Sequence, residues 1–265
     1  MQIEKIRLKK LNNTRDLGGF PTQDGKKIKK GRLIRSGKLY KLPDKTINAL
    51  KKAGVTTVID LRTEQECSER PYCGLDGVKY VHIPLVCTAT RGITHEKGMA
   101  YAILEDSKRI ADEFGTADRY MAYVYDKMLF DSESCELLEK FMRILLEEDG
   151  CVLWYCNQGK DRTGIAAMLI EWLLGVDEEL IIKDCAISDK FRRGKMILQY
   201  AGLLLVPGKR HFKELLRAMM KAKPRYIIDS MQKIKHNCGT IERYFTDRLH
   251  FTESEIAALK NKYCE

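Results

Sequence analysis

Residues 151–164 read Cys151-Val-Leu-Trp-Tyr-Cys156-Asn-Gln-Gly-Lys-Asp-Arg162-Thr-Gly164. The first five form a short apolar run flanked by turn residues, the pattern of a strand buried in the middle of a sheet. Beyond them, Thr163–Leu174 carries Ile165, Ala166, Ala167, Met168, Leu169 and Ile170 and predicts a helix. The connection contains Gly159 and Gly164 and enters a helix N-terminus, so its backbone N–H groups can point into one concavity that suits an anion. It is not a nucleotide-binding Walker loop. Position 154 is Trp where Gly is required, and Asp161 follows Lys160 where Ser or Thr belongs.

A thiol at the mouth of such a nest is set up as a nucleophile. The helix dipole, the inward donors and the Arg162 guanidinium all favour the thiolate of Cys156. The same donors suit the oxygens of a phosphate monoester, which Arg162 can grip through two parallel bonds. Asn157, Gln158, Gly159, Lys160, Thr163 and Gly164 are the expected lining of the bound phosphate-like anion, with Thr163 donating its hydroxyl to the sulfur. In-line attack gives a cysteinyl-phosphate that water hydrolyses in a second step. No metal and no cofactor is called for, because Arg162 and the backbone donors balance the equatorial charge.

Working outward, the chain alternates strand and helix and then becomes helical. Pro43 and Asp44 open a helix that Gly54 closes; Val55–Ile59 and Lys79–Ile83 read as buried strands; Ser132–Glu147 is an amphipathic helix. Helices follow almost to the end, the last announced by the capping box Thr252-Glu-Ser-Glu255. This order predicts an α/β fold, a mostly parallel sheet flanked by helices with a helix-rich C-terminal half. No repeat or linker-like tract divides residues 1–265, so one domain is expected, with segments 88–130 and 190–223 as candidate helical lids.

The 265 residues are 44% apolar and 32% charged, which excludes a disordered chain, and the longest apolar stretch is too short for a bilayer span. Lysine and arginine total 47 against 37 acids, a difference of +10, which suggests an anionic partner. Lys26–Lys41 holds eight basic residues and no acid; it reads as two short strands and as a surface that could meet an anionic membrane. No interleaving of aromatic and basic residues points to nucleic acid. The nine cysteines show no zinc spacing, and the N-terminal residues lack a secretory apolar core, so a cytoplasmic protein with free thiols is the default expectation, secretion without a signal remaining open.

Cys156-x-x-Gly-Lys-Asp-Arg-Thr-Gly164 resembles the signature loop of the Cys-x5-Arg phosphatases, within them the bacterial tyrosine and phosphoinositide phosphatases. Asn13-Thr-Arg-Asp-Leu-Gly-Gly-Phe20 and Val58-Ile-Asp-Leu-Arg62 resemble two further elements of that family. The resemblance implies a phosphatase-like sheet, a phosphorylated protein or phosphoinositide substrate, and Arg15, Asp16, Asp60 and Arg62 beside the pocket. It also assigns the general acid to Asp161. The Trp-Pro-Asp segment of many tyrosine phosphatases is absent, and Ile83-Pro-Leu-Val-Cys87 carries Cys where dual-specificity enzymes often carry Asp. Tyr155 stands where many members have His. Two other readings remain open at this level: a module that binds phosphorylated ligands without turnover, and an arsenate-reductase-like thiol enzyme using Cys151 or Cys87 as its second thiol.

Overall fold

The computed structural model describes residues 3–85, 110–194, 196–198 and 210–265. Five strands, β1 (Arg15–Asp16), β2 (Leu33–Gly37), β3 (Val55–Asp60), β4 (Lys79–His82) and β5 (Cys151–Cys156), form one sheet in the order β1-β2-β5-β3-β4. Only the β1–β2 pair is antiparallel. β5 lies at the centre, hydrogen-bonded on both sides, as its unbroken apolar run requires. Its side chains alternate between two cores. Val152, Trp154 and Cys156 face the larger one, while Cys151, Leu153 and Tyr155 face a smaller one with Leu39, Leu50, Val58 and Leu75.

The helices are α1 (Asp44–Lys52), α2 (Glu64–Glu69), α3 (Ala117–Phe130), α4 (Ser132–Glu147), α5 (Arg162–Leu173), α6 (Glu178–Phe191), α7 (Arg210–Met220), α8 (Pro224–Cys238), α9 (Ile241–Leu249) and α10 (Glu253–Tyr263). α5 follows β5 and is buried around its whole circumference from Arg162 to Ile170. This is why Ile165–Ile170 is apolar all round rather than on one stripe. Its mid-helix Leu169 is wholly buried, and truncation to Ala is expected to cost about 2–5 kcal/mol. α10 starts at the expected capping box, both halves of which are formed. Among the described residues no helix is long and apolar enough to cross a membrane.

Three expectations need correction. β4 is an edge strand whose residues are exposed or half-buried, because its outer side has no partner strand. Residues 26–41 contain one strand rather than two; Lys27 and Ile28 make only isolated bridges, to Pro21 and Cys264. That basic stretch is also not a single solvated face, since Arg35 is buried and Lys29 donates to the carbonyls of Asn261 and Lys262. Of the candidate lids, 86–109 and 199–209 lie outside the described residues. Within the described parts, α3 buries Met121, Val124, Tyr125, Met128 and Leu129, and α7 buries Phe212, Leu215, Ala218 and Met219.

Candidate active site

The loop joining β5 to α5 sits at the C-terminal ends of the parallel strands, where open α/β sheets place their ligands. Its carbonyls are held outward. Lys38 N donates to Asn157 O at 3.3 Å, Asn13 Nδ2 to Gln158 O at 3.3 Å and to Gly159 O at 2.7 Å, and Arg35 Nη2 to Gly159 O at 3.2 Å. In a trans peptide the next N–H points opposite to the carbonyl, so these bonds turn the amides of residues 158–160 toward the inside of the curve. Gly159 is required for this path. Its φ is +68°, and a Cβ there would meet Ser36 O at 2.4 Å.

Arg162, the first residue of α5, is buried and already oriented. Its Nη1 and Nη2 reach the two Glu66 oxygens at 2.6 and 3.0 Å, and Nη1 also donates to Leu61 O at 3.1 Å, while Nε has no partner. Burial pulls the guanidinium pKa down, but Glu66, Cys156 and Asp161 outweigh this and hold it above its ordinary value. Glu66 is 1% exposed and carries three duties: it pairs with Arg162, accepts from Asn157 Nδ2 at 3.1 Å, and closes the Thr63 capping box of α2. Thr63-x-x-Glu66 is legible as a helix start, but nothing in the sequence says that the same carboxylate faces Arg162.

Asp161 is 3% exposed and accepts from two donors. Lys160 Nζ lies 2.7 Å from Oδ1 and 2.5 Å from Oδ2, and the Tyr125 hydroxyl donates to Oδ1 at 2.5 Å. Burial and the Asp161 charge push the Tyr125 phenol well above its usual pKa, which keeps it a donor. Lys160 is therefore not a solvated side chain; it also reaches Lys221 O at 3.4 Å. Thr163 differs from expectation. Its hydroxyl is buried with no partner, and the bond to the Cys156 sulfur is not made.

The remaining sequence candidates support the loop from behind. Arg15 engages Asn13, Asp184 and Ser188 through all three of its nitrogens. Asp184 also pairs with Arg35, so one carboxylate anchors both arginines, and their charges hold it below the ordinary range despite burial. Arg62 is likewise occupied, by Asp60, Arg70 O and Tyr155. Tyr155 donates to Asp60 Oδ2 at 2.5 Å from the smaller-core side of β5, which explains a Tyr in a position that other members fill with His. Asp16 is not brought to the pocket. It pairs in register with Ile34, which lies opposite Leu153, three residues or about 10 Å along the strand from Cys156. Its carboxylate instead fixes a turn through the Gly18 and Gly31 amides.

Residues 6–265 match the tyrosine phosphatase family. A Cupriavidus necator protein named as a tyrosine-protein phosphatase is 27% identical over 257 residues, covering 96% of this chain and 86% of its own. The triple specificity protein phosphatase PtpB of Mycobacterium tuberculosis is 27% identical over 257 residues, covering 89% and 90%. A Nostoc commune tyrosine-protein phosphatase is 32% identical over 164 residues, 61% of this chain and 50% of its own. With the match extending from the first support segment through the Cys156–Arg162 loop to the last helix, this chain belongs to the tyrosine phosphatase family.

Proposed function

We propose that the protein hydrolyses phosphate monoesters through a cysteinyl-phosphate intermediate, acting on phosphotyrosyl side chains, with phosphoseryl and phosphothreonyl residues and phosphoinositides as further substrates. The observation that carries this reading is the loop itself. Cys156 ends the central strand inside a curve whose carbonyls are tied outward, beside an Arg162 that Glu66 holds in place with Nε to spare. The spare donor and the inward amides match the equatorial oxygens of a phosphoryl group. In the first step the Cys156 sulfur forms a bond to phosphorus as the ester oxygen leaves, and Asp161, protonated, gives its proton to that oxygen. In the second, the Asp161 carboxylate takes a proton from water, the resulting oxygen bonds to phosphorus, and the thiolate departs with its electron pair.

Lys160, beside Asp161, adds a cation where a second phosphate of a phosphoinositide could lie, and the name of the M. tuberculosis relative supports a specificity wider than one phosphorylated residue. The arsenate-reductase alternative loses support from Cys151. It sits at the other end of β5, five residues or roughly 16 Å from Cys156, and faces the opposite core. Cys87 lies outside the described residues.

The test is release of p-nitrophenol from p-nitrophenyl phosphate, with chelator present, by wild type and Cys156→Ser side by side. Activity that survives chelation and vanishes in the Ser variant is the expected result. A wild type that binds phosphate or tungstate yet releases no product between pH 5 and 8 would favour the binding module. For Asp161→Asn, phenyl phosphate should be slowed far more than p-nitrophenyl phosphate, because only the poorer leaving group needs the proton; equal losses would remove Asp161 from the acid role.

A further inference from the structure

Asp184 and Ser188 lie one turn apart on α6, and the same spacing leads on to Arg192 just past its end. This face runs along the back of the active-site loop, since Asp184 and Ser188 hold Arg15, and Asp184 holds the Arg35 that grips Gly159 O. The Arg192 side chain is 1% exposed. Among the described residues its side chain makes one hydrogen bond, Nη1 to Met220 O at 3.2 Å; Asp189 Oδ1 is 3.6 Å from the same nitrogen, too far for another. Nε and Nη2 are buried and have no partner among those residues.

The turn after α7 brings Arg192 close to Lys160. Met220 O accepts from Arg192, and the adjacent Lys221 O accepts from Lys160, whose ammonium is bonded to Asp161. Ala222 N closes the arrangement by donating to Asp189 Oδ1 at 2.9 Å. Arg192 and Lys160 therefore reach consecutive carbonyls of one turn, and the charges of Asp161 and Cys156 both act on the Arg192 guanidinium. Asp161 is already shared between Lys160 and Tyr125, and Arg192 makes no hydrogen bond to it as a third donor. Arg35, held by the same helix face, leaves one buried nitrogen idle, its Nε; Arg192 leaves two, and each unmade bond costs about 1–3 kcal/mol. Arg15, anchored by the same helix face, leaves none of its nitrogens idle.

We propose that Arg192 is a second anion-binding arginine of the active site, its Nε and Nη2 donors taking up oxygens of the substrate's phosphoryl group. This rests on the phosphomonoester reading of the site and adds a residue that none of the sequence motifs contains. The ligand then approaches between two guanidinium groups, Arg162 from the loop and Arg192 from the end of α6, with Lys160 on the same side as Arg192.

Calorimetric titration with inorganic phosphate tests it in a Cys156→Ser background, where no turnover is needed. Arg192→Met should weaken phosphate binding at least tenfold. Arg192→Lys, which keeps the charge and a donor for Met220 O, should weaken it about threefold or more with an unchanged melting temperature. A phosphate Kd within twofold of the parent in either folded variant overturns the proposal and leaves Arg192 as a strut for the α7 turn, whose signature is a lowered melting temperature alone. Should Arg192→Met fail to fold, the Lys variant decides by the same threshold. A Cys156→Ser parent that binds no phosphate overturns the phosphomonoester reading itself, whereas a binding parent indifferent to Arg192 overturns only this inference.

Discussion

Two buried arginine–carboxylate systems flank the same loop, and they differ in where their arginines stand. In front, Arg162 and Glu66 share a forked pair and Arg162 keeps a buried Nε without a partner. Behind, Asp184 binds Arg15 and Arg35 together; every nitrogen of Arg15 meets a protein acceptor, while Arg35 keeps its own buried Nε without a partner among the described residues. Both systems are desolvated, so burial does not distinguish them. A spare donor does not distinguish them either, since each holds one arginine with an idle Nε; the distinction lies in place, for Arg162 follows directly on the loop that begins at Cys156, whereas Arg15 is spent on Asn13, Asp184 and Ser188. Arg15 and Arg162 look equally prominent as motif residues, yet one is a foundation for Asn13 and the loop carbonyls and the other is built to meet an anion.

The contrast is broken most sharply by exchanging losses of rate against losses of stability. Arg162→Lys, which keeps a cation beside the buried Glu66, should lower kcat/KM for p-nitrophenyl phosphate by on the order of 10³-fold or more while the melting temperature stays within a few degrees. Asp184→Ala should do the reverse first. Removing the shared carboxylate leaves two buried guanidinium groups without it, an expected cost of about 3–5 kcal/mol in denaturant unfolding. If Asp184→Ala instead unfolds at the wild-type midpoint with only its rate reduced, the rear system is not the foundation described here. Next in size is Tyr125→Phe, which removes one of the donors on Asp161 Oδ1. It should cost about tenfold on phenyl phosphate and less on p-nitrophenyl phosphate; unchanged rates on both substrates would make the phenol a packing group.

The smallest effect concerns pH and sharpens the description of the rear system. Asp184 is held below its usual 3.8, so its contribution to stability is present above that pH and is lost as pH falls through the lower folded value. Glu171 is opposite in sign. Burial and the neighbouring Asp184 charge push it well above 4.5, so the folded protein keeps a proton that the unfolded chain releases, and stability falls as pH rises from about 4.5 toward the folded value. Glu171→Gln mimics the protonated form. It should unfold like wild type near pH 4 and be more stable by about 1 kcal/mol or more near pH 8, a gain of about 2–4 °C per kcal/mol in a chain of this size. A pH-independent difference between the two proteins would show that Glu171 does not titrate in this way.

The parts of the site that could be read from sequence are those whose chemistry is local. Cys156, Asp161 and Arg162 lie on one loop between a β-branched and aromatic strand and an apolar helix, and adjacency along the chain guarantees adjacency in space. The apolar run 151–155 fixed β5 as central for the same reason, because a strand buried on both faces has no polar position to spare. Edge placement of β4 was not readable, since Lys79–His82 says nothing about which neighbour is missing. Asp16 was misplaced because a motif gives nearness in sequence, while strand pairing sets it about three residues down the sheet.

What the sequence alone determined, then, is the cysteine that ends the central strand, the guanidinium six residues on, the glycine-bearing loop between them and the α/β order that puts that loop at a strand end. Tertiary structure decided everything that depends on pairing across long chain separations: Glu66 on Arg162, Tyr125 on Asp161, Asp184 beneath Arg15 and Arg35, and Arg192 beside Lys160. The physical reason is that a charged side chain carries the same label whether its donors are spent or free. Only packing, by removing water and leaving a fixed set of acceptors, decides which of those donors are spent and which are idle.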